Sequence, residues 1–242
     1  MLYEAKGSGK PIIFLPGLFA GGWIWEFIAQ DVINKGFKVF TFKDAIPVAF
    51  GGSSRKAMSA LDAIITECGD APYLVGNSLG ALIALHYASQ NSENVKGVIM
   101  SGAPGEIENE AGVSINELKT GDKKYASILA NYVFYDKEKV PPYLAEEIVK
   151  LFSNARVVRN MVQWVSFSRK YNVPEVLKDR KVSINFIWGE HDNITPISPW
   201  LKLAEQFDIP IDVIQNSGHS PMIEDPKAFT DVLLARLSAA KS

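Results

Sequence analysis

Cysteine is almost missing. Cys68 is the only one in 242 residues, so no intrachain disulfide can form. A chain without disulfides fits a reducing compartment, and a cytoplasmic location is the expectation. A strong charge of either sign is missing too. Lys and Arg number 25 against 27 Asp and Glu, a formal −2, which leaves no basic field for nucleic acid or an anionic membrane surface. No run of about 18 apolar residues occurs, so no membrane span is expected. The opening MLYEAKGSGKP lacks the apolar stretch of a secretory signal. There is no internal repeat and no low-complexity tract. His, Cys and carboxylates nowhere cluster at metal-ligand spacing. Gly17, Gly21 and Gly22 are not followed by the Lys-Ser/Thr of a phosphate loop. Neither a metal nor a cofactor is therefore expected.

What is present is ordinary in amount, 47% hydrophobic and 21% charged, and orderly in arrangement. Residues 11–15 (PIIFL), 37–42 (FKVFTF), 73–75 (YLV), 95–101 (VKGVIMS), 183–188 (SINFIW) and about 210–214 read as buried strands. Helical patterns lie between them, at about 23–35, 54–68, 79–90, 198–207 and 226–239. In the first of these, Trp23, Phe27, Ile28 and Val32 fall on one face, and Cys68 reads as a packing residue of the second. This alternation predicts an α/β fold, a mostly parallel doubly wound sheet. Between 104 and 180 the alternation stops. Helical patterns at 143–152 and 157–171 and the aromatics Tyr125, Tyr132, Phe134, Tyr135, Trp164 and Phe167 take its place. The expected organisation is a core domain of 1–103 and 181–242, interrupted by a helical insertion of 104–180. An insertion following a strand end would roof the edge at which open parallel sheets bind ligands.

At the centre stands Gly76-Asn77-Ser78-Leu79-Gly80, between the strand YLV and a helix carrying Leu79, Leu82, Ile83, Leu85 and Ala88 at helical spacing. A strand that turns straight into a helix needs small residues two before and two after the apex. Such a turn holds the serine hydroxyl at the sheet edge and aims the helix N-terminus at any negative charge formed there. A hydroxyl becomes a useful nucleophile only beside a base, and the base needs a group to orient it. Only three histidines exist. His219 follows a predicted strand end in SGHSPMIEDP, and Asp192 follows another in GEHDNITP. His86 lies on the helix after Ser78 and reads as packed, while His191 adjoins Asp192 and reads as a loop residue pointing elsewhere. Glu106 is the rival acid.

With those pieces in hand, the chain resembles an α/β-hydrolase with a helical cap. GNSLG is similar to the family's nucleophile elbow, GEHDNITP to its acid loop, SGHSPMIEDP to its histidine loop and LPGLFAGGW to its oxyanion loop. The resemblance implies Ser78 as nucleophile, His219 as general base and acid, Asp192 as orienting carboxylate, and the Leu18 and Leu79 amides as oxyanion donors. Pro16 stands where the family usually has a histidine. The implied activity is hydrolysis of a small, rather apolar carboxylic ester through an acyl-enzyme. The partner would be a small molecule with an apolar or aromatic acyl or alcohol part; no oligomeric state is implied. A C–C bond hydrolase or thioesterase on the same residues is the nearest alternative. A non-hydrolytic ligand-binding protein or lyase of the same fold is the alternative of another class.

Overall fold

The computed structural model describes residues 2–105, 113–120 and 122–239. Its centre is a seven-stranded sheet in the order β1-β3-β2-β4-β5-β6-β7. The strands are β1 (Tyr3–Gly7), β2 (Lys10–Leu15), β3 (Phe37–Phe42), β4 (Tyr73–Asn77), β5 (Gly97–Ser101), β6 (Ser183–Gly189) and β7 (Ile211–Ile214). All neighbours are parallel except β1, which runs antiparallel on β3. Every residue of β4 and β5 is buried. Successive strand side chains point to opposite faces, so both faces of the sheet centre are covered.

The cover comes from α1 (Glu26–Asn34), α2 (Ile46–Ala49), α3 (Ser54–Cys68), α4 (Leu79–Gln90) and, later in the chain, α10 (Ile197–Phe207), α11 (Pro221–Glu224) and α12 (Pro226–Ala239). Local signals set the bounds of α3. The Ser53 side chain accepts the Lys56 N–H at its start, and Gly69 takes a left-handed φ of 72° at its end. The Cys68 thiol is half-buried, and burial pushes its pKa up to about 11. It stays protonated at neutral pH and is no rival nucleophile. Among the described residues, five α-helices are inserted between β5 and β6: α5 (Ile115–Thr120), α6 (Lys123–Val133), α7 (Leu144–Phe152), α8 (Ala155–Ser168) and α9 (Val173–Lys178). They meet the rest of the chain at defined places. Asn160 of α8 donates to Pro47 O at 2.9 Å, and the Trp164 indole donates to Gly51 O at 2.6 Å.

The structure departs from the sequence reading in three places. The edge strand β1 is additional, and its exposed residues give no hydrophobic pattern. The short α2 lies between the strand at 37–42 and the helical pattern at 54–68, where no element was expected. Phe27, expected on a buried face with Ile28 and Val32, is 45% exposed. The first turn, Gly22–Trp25, is a 3-10 helix. Within α1 itself, at roughly 100° per residue, Phe27 stands about 140° round the axis from Val32 and so falls off the buried stripe of Ile28 and Val32.

The strand order locates the site. From β2 the chain moves outward to β3, then returns to place β4 on the other side of β2. The crevice past the carboxyl ends of β2 and β4 is thus the switch point of the sheet, where such folds bind ligands. The register there pairs Leu15 with Gly76, so the loop after β2 and the turn after β4 lie side by side.

Candidate active site

The turn after β4 is as tight as its sequence demands. A Cβ on Gly76 would lie 2.4 Å from Ala81 N, and one on Gly80 would lie 2.3 Å from the Leu15 and Pro16 carbonyl oxygens. Both contacts are with backbone, which cannot give. Gly80→Ala should therefore cost at least about 3 kcal/mol of stability, measured by urea denaturation; a loss under about 1 kcal/mol would show that the turn relaxes. At the apex Ser78 has φ 56° and ψ −127°, a strained conformation costing on the order of 1–3 kcal/mol. Its backbone is held on both sides. Its N–H donates to Ser101 O at 2.8 Å, and its carbonyl accepts from Ala81 N and Leu82 N at 2.9 and 3.3 Å. Its side chain makes no cap bond to the helix. The Leu79 amide is the first of α4 and has no acceptor within the helix.

Asp192 lies in the loop after β6 and His219 in the loop after β7. Both are 5% exposed. His219 Nδ1 is 2.8 Å from Asp192 Oδ2. The carboxylate is filled by donors: Oδ1 accepts the Ile194 and Thr195 amides at 2.9 and 2.8 Å, and Oδ2 also accepts the Thr195 hydroxyl at 2.8 Å. Such a carboxylate is fixed in orientation and acts as acceptor only. The loops carrying the pair are tied to each other and to the core. Trp188 Nε1 donates to Thr195 O at 2.9 Å. The His191 amide donates to Ser217 O at 2.9 Å, and Asn77 Nδ2 donates to His219 O at 3.0 Å.

Two apolar cavities meet at these residues. Each is lined by Leu18, Phe19, Ser78, Val133 and His219. The first, of about 60 Å³, extends past Leu79, Leu129 and Trp164; the second, of about 50 Å³, extends past Phe134, Leu144 and Ile148. No charged side chain lines either one among the described residues. The loop bearing Leu18 is held from the β3 side, where the Ile46 amide donates to Gly17 O and the Gly22 amide to Lys43 O, both at 3.3 Å.

The other candidates fall elsewhere. His86 packs edge-on against Phe167 and Tyr171, each 5.4 Å away, and burial lowers its pKa. His191 stacks on Tyr135 at 4.0 Å. Glu106 lies outside the described residues. Of the inserted aromatics, Trp164 and Phe134 line the cavities, Tyr125 is buried, and Tyr132 and Tyr135 are 51% and 44% exposed. One residue escapes a sequence reading altogether. Glu224, 2% exposed, points back at the histidine loop, where its Oε1 accepts the Gly218 amide at 2.6 Å. Burial raises its pKa against the opposing pull of its backbone donors. Among the described residues, no group of His, Cys, Asp and Glu is arranged to hold a metal ion, and no helix is long and apolar enough to cross a membrane.

Comparison with known proteins bears on the same stretches. The model of the alpha/beta hydrolase family matches residues 12–232. A monoacylglycerol lipase of Bos taurus is 23% identical over 187 residues, which cover 70% of this chain and 56% of the lipase. The chain thus spans only about half the length of that curated relative. Among solved structures, an esterase from Exiguobacterium antarcticum superposes with a TM-score of 0.79 at 22% identity, covering 99% of this chain and 95% of the esterase. A meta-cleavage product hydrolase from Pseudomonas fluorescens gives 0.78 at 19% identity, covering 99% and 94%. At these identities the structural likeness carries the fold alone.

Proposed function

Because the chain belongs to the α/β-hydrolase family of enzymes, we propose that it is a serine hydrolase of small, uncharged carboxylic esters. The observation that carries this reading is the buried Asp192–His219 pair, 2.8 Å apart, on the cavities that Ser78 also lines. In the proposed reaction His219 takes the Ser78 proton and Ser78 Oγ attacks the ester carbonyl. The Leu18 and Leu79 amides hold the oxyanion. His219 gives the proton to the leaving alcohol, and an acyl-enzyme remains. His219 then takes a proton from water, which attacks the acyl carbon, and gives that proton to Ser78 Oγ as the acid leaves. Asp192 keeps the Nδ1 proton on the imidazole, so that Nε2 is the basic nitrogen. The inserted helices act as a cap, supplying Leu129, Val133 and Trp164 to the walls.

The walls also support the substrate class. A carboxylate or ammonium group would be buried here without a partner, at a cost of several kcal/mol or more. That disfavours a C–C bond hydrolase acting on a charged ring-cleavage product. Size points the same way: an apolar cavity of about 150 Å³ takes a benzene-sized guest, and each lobe here is smaller. Across p-nitrophenyl acetate, butyrate and octanoate, kcat/KM should therefore be highest for acetate or butyrate. Octanoate should fall more than about tenfold below the best, since each misfit methylene is worth on the order of 1–3 kcal/mol. An octanoate preference would show that the lobes open to long chains. A folded protein that turns over no ester would overturn the ester reading.

A further inference from the structure

Glu224 ends the one-turn helix α11, five residues after His219. A carboxylate buried to 2% exposure needs donors on both oxygens to offset its desolvation. It has them, from two separate parts of the chain. Oε1 accepts the Gly218 amide at 2.6 Å, while Oε2 accepts the Tyr135 and Asp136 amides at 2.9 and 3.0 Å. Gly218 belongs to the histidine loop; Tyr135 and Asp136 belong to the insertion, just past α6. A second bond joins the same two pieces, from the His219 amide to Val133 O at 2.8 Å. The approach is so close that a Cβ on Gly218 would lie 2.7 Å from Tyr135 N and 2.8 Å from Val133 O. The Tyr135 ring then reaches the acid loop by stacking on His191.

We propose that Glu224 is a positioning residue for His219, and that through it residues 133–136 of the inserted segment help to set the imidazole against Ser78. The inference rests on the serine-hydrolase reading of those two residues. Proton transfer needs the imidazole held to within about 0.5 Å, and the His219 backbone is fixed from the insertion side through Val133 O and, one residue earlier, through Glu224. The side-chain bonds of Glu224 go to backbone amides and not to the side chains of Ser78, Asp192 or His219, so the residue acts only through the loop.

The test is Glu224→Gln. The amide is the same size, but its NH2 must face backbone N–H donors on one side or the other. Each assay is normalised to folded protein by circular dichroism and run well below the melting temperature. The expected result is a fall in kcat for p-nitrophenyl butyrate of about ten- to a hundredfold, with KM within about threefold of wild type. Modification of Ser78 by diethyl p-nitrophenyl phosphate, which needs the same proton transfer, should slow by the same factor. Gly218→Ala keeps the carboxylate but wedges the segment off the loop, and it should give the same split between kcat and KM. A Glu224→Gln enzyme with wild-type kcat and wild-type inactivation rate, and only a lower melting temperature, would overturn the proposal. If Glu224→Gln does not fold, wild-type kcat in Gly218→Ala would overturn it. Failure of the underlying reading is distinguishable: the reagent would then leave Ser78 unmodified in the wild type.

Discussion

Ser78→Ala is expected to lower kcat for p-nitrophenyl butyrate by a factor on the order of 10⁵ while leaving the fold intact. The size of the effect follows from what the hydroxyl does in the proposed reaction. Without Oγ there is no covalent intermediate, and the residual rate is that of water held beside an oxyanion site. The intact fold follows from what the side chain does not do. The bonds that hold the turn are backbone bonds, from Ser78 N–H to Ser101 O and from Ala81 and Leu82 N–H to Ser78 O. Alanine keeps all three. The pair of measurements is kcat by p-nitrophenol release and Tm by circular dichroism, with Tm expected within a few degrees of wild type. Activity retained to within about tenfold would remove Ser78 from the chemistry.

Asp192→Asn should cost about 10³- to 10⁴-fold in kcat, through the tautomer of His219 rather than through lost contact. Four donors converge on the carboxylate, two on each oxygen. An amide has one oxygen and one NH2. If its oxygen keeps the Ile194 and Thr195 amides, its NH2 faces the Thr195 hydroxyl and His219 Nδ1. Imidazole then presents a lone pair at Nδ1 and carries its proton on Nε2, where it cannot accept the serine proton. If the amide flips, two backbone donors are left facing an NH2, and the acid loop loosens. Either way the loss appears in kcat at neutral pH, with Tm lowered by a few degrees in the second case. Near wild-type kcat in the folded variant would show that Asp192 does not orient the base.

Much of the molecule is legible in the sequence because steric rules are local. The glycines at 76 and 80 announce the turn, and the structure supplies the backbone atoms that forbid anything larger. The buried strands announce themselves by apolar runs, and α3 by its helical pattern over 54–68. What escapes reading is set by contacts distant in sequence. The strand β1 is recognisable only by its pairing with β3. The four-residue α2 is disguised by Pro47, which reads as a loop residue although proline is tolerated in a first helical turn. Which stripe of α1 turns inward is decided by what it packs against, and that stripe is Ile28 and Val32 without Phe27. Glu224, in IEDP, looks like any surface carboxylate before a proline. Its role in the structure comes from the Tyr135 and Asp136 amides, 89 and 88 residues away. The site is legible in part for a related reason. Ser78, Asp192 and His219 each follow a strand end, so the sheet alone brings them to one edge, whereas the cavity walls depend on which faces of α6 and α8 the insertion turns inward.

In the proposed reaction a substrate acyl group passes through Ser78. The most direct measurement is an acid quench of the wild-type enzyme during steady-state turnover of p-nitrophenyl butyrate, followed by peptide mass spectrometry. A butyryl group on the Ser78 peptide is expected in the wild type, and none on that peptide in Ser78→Ala. Turnover with no acyl group at any residue, or with the acyl group on another side chain, would contradict it.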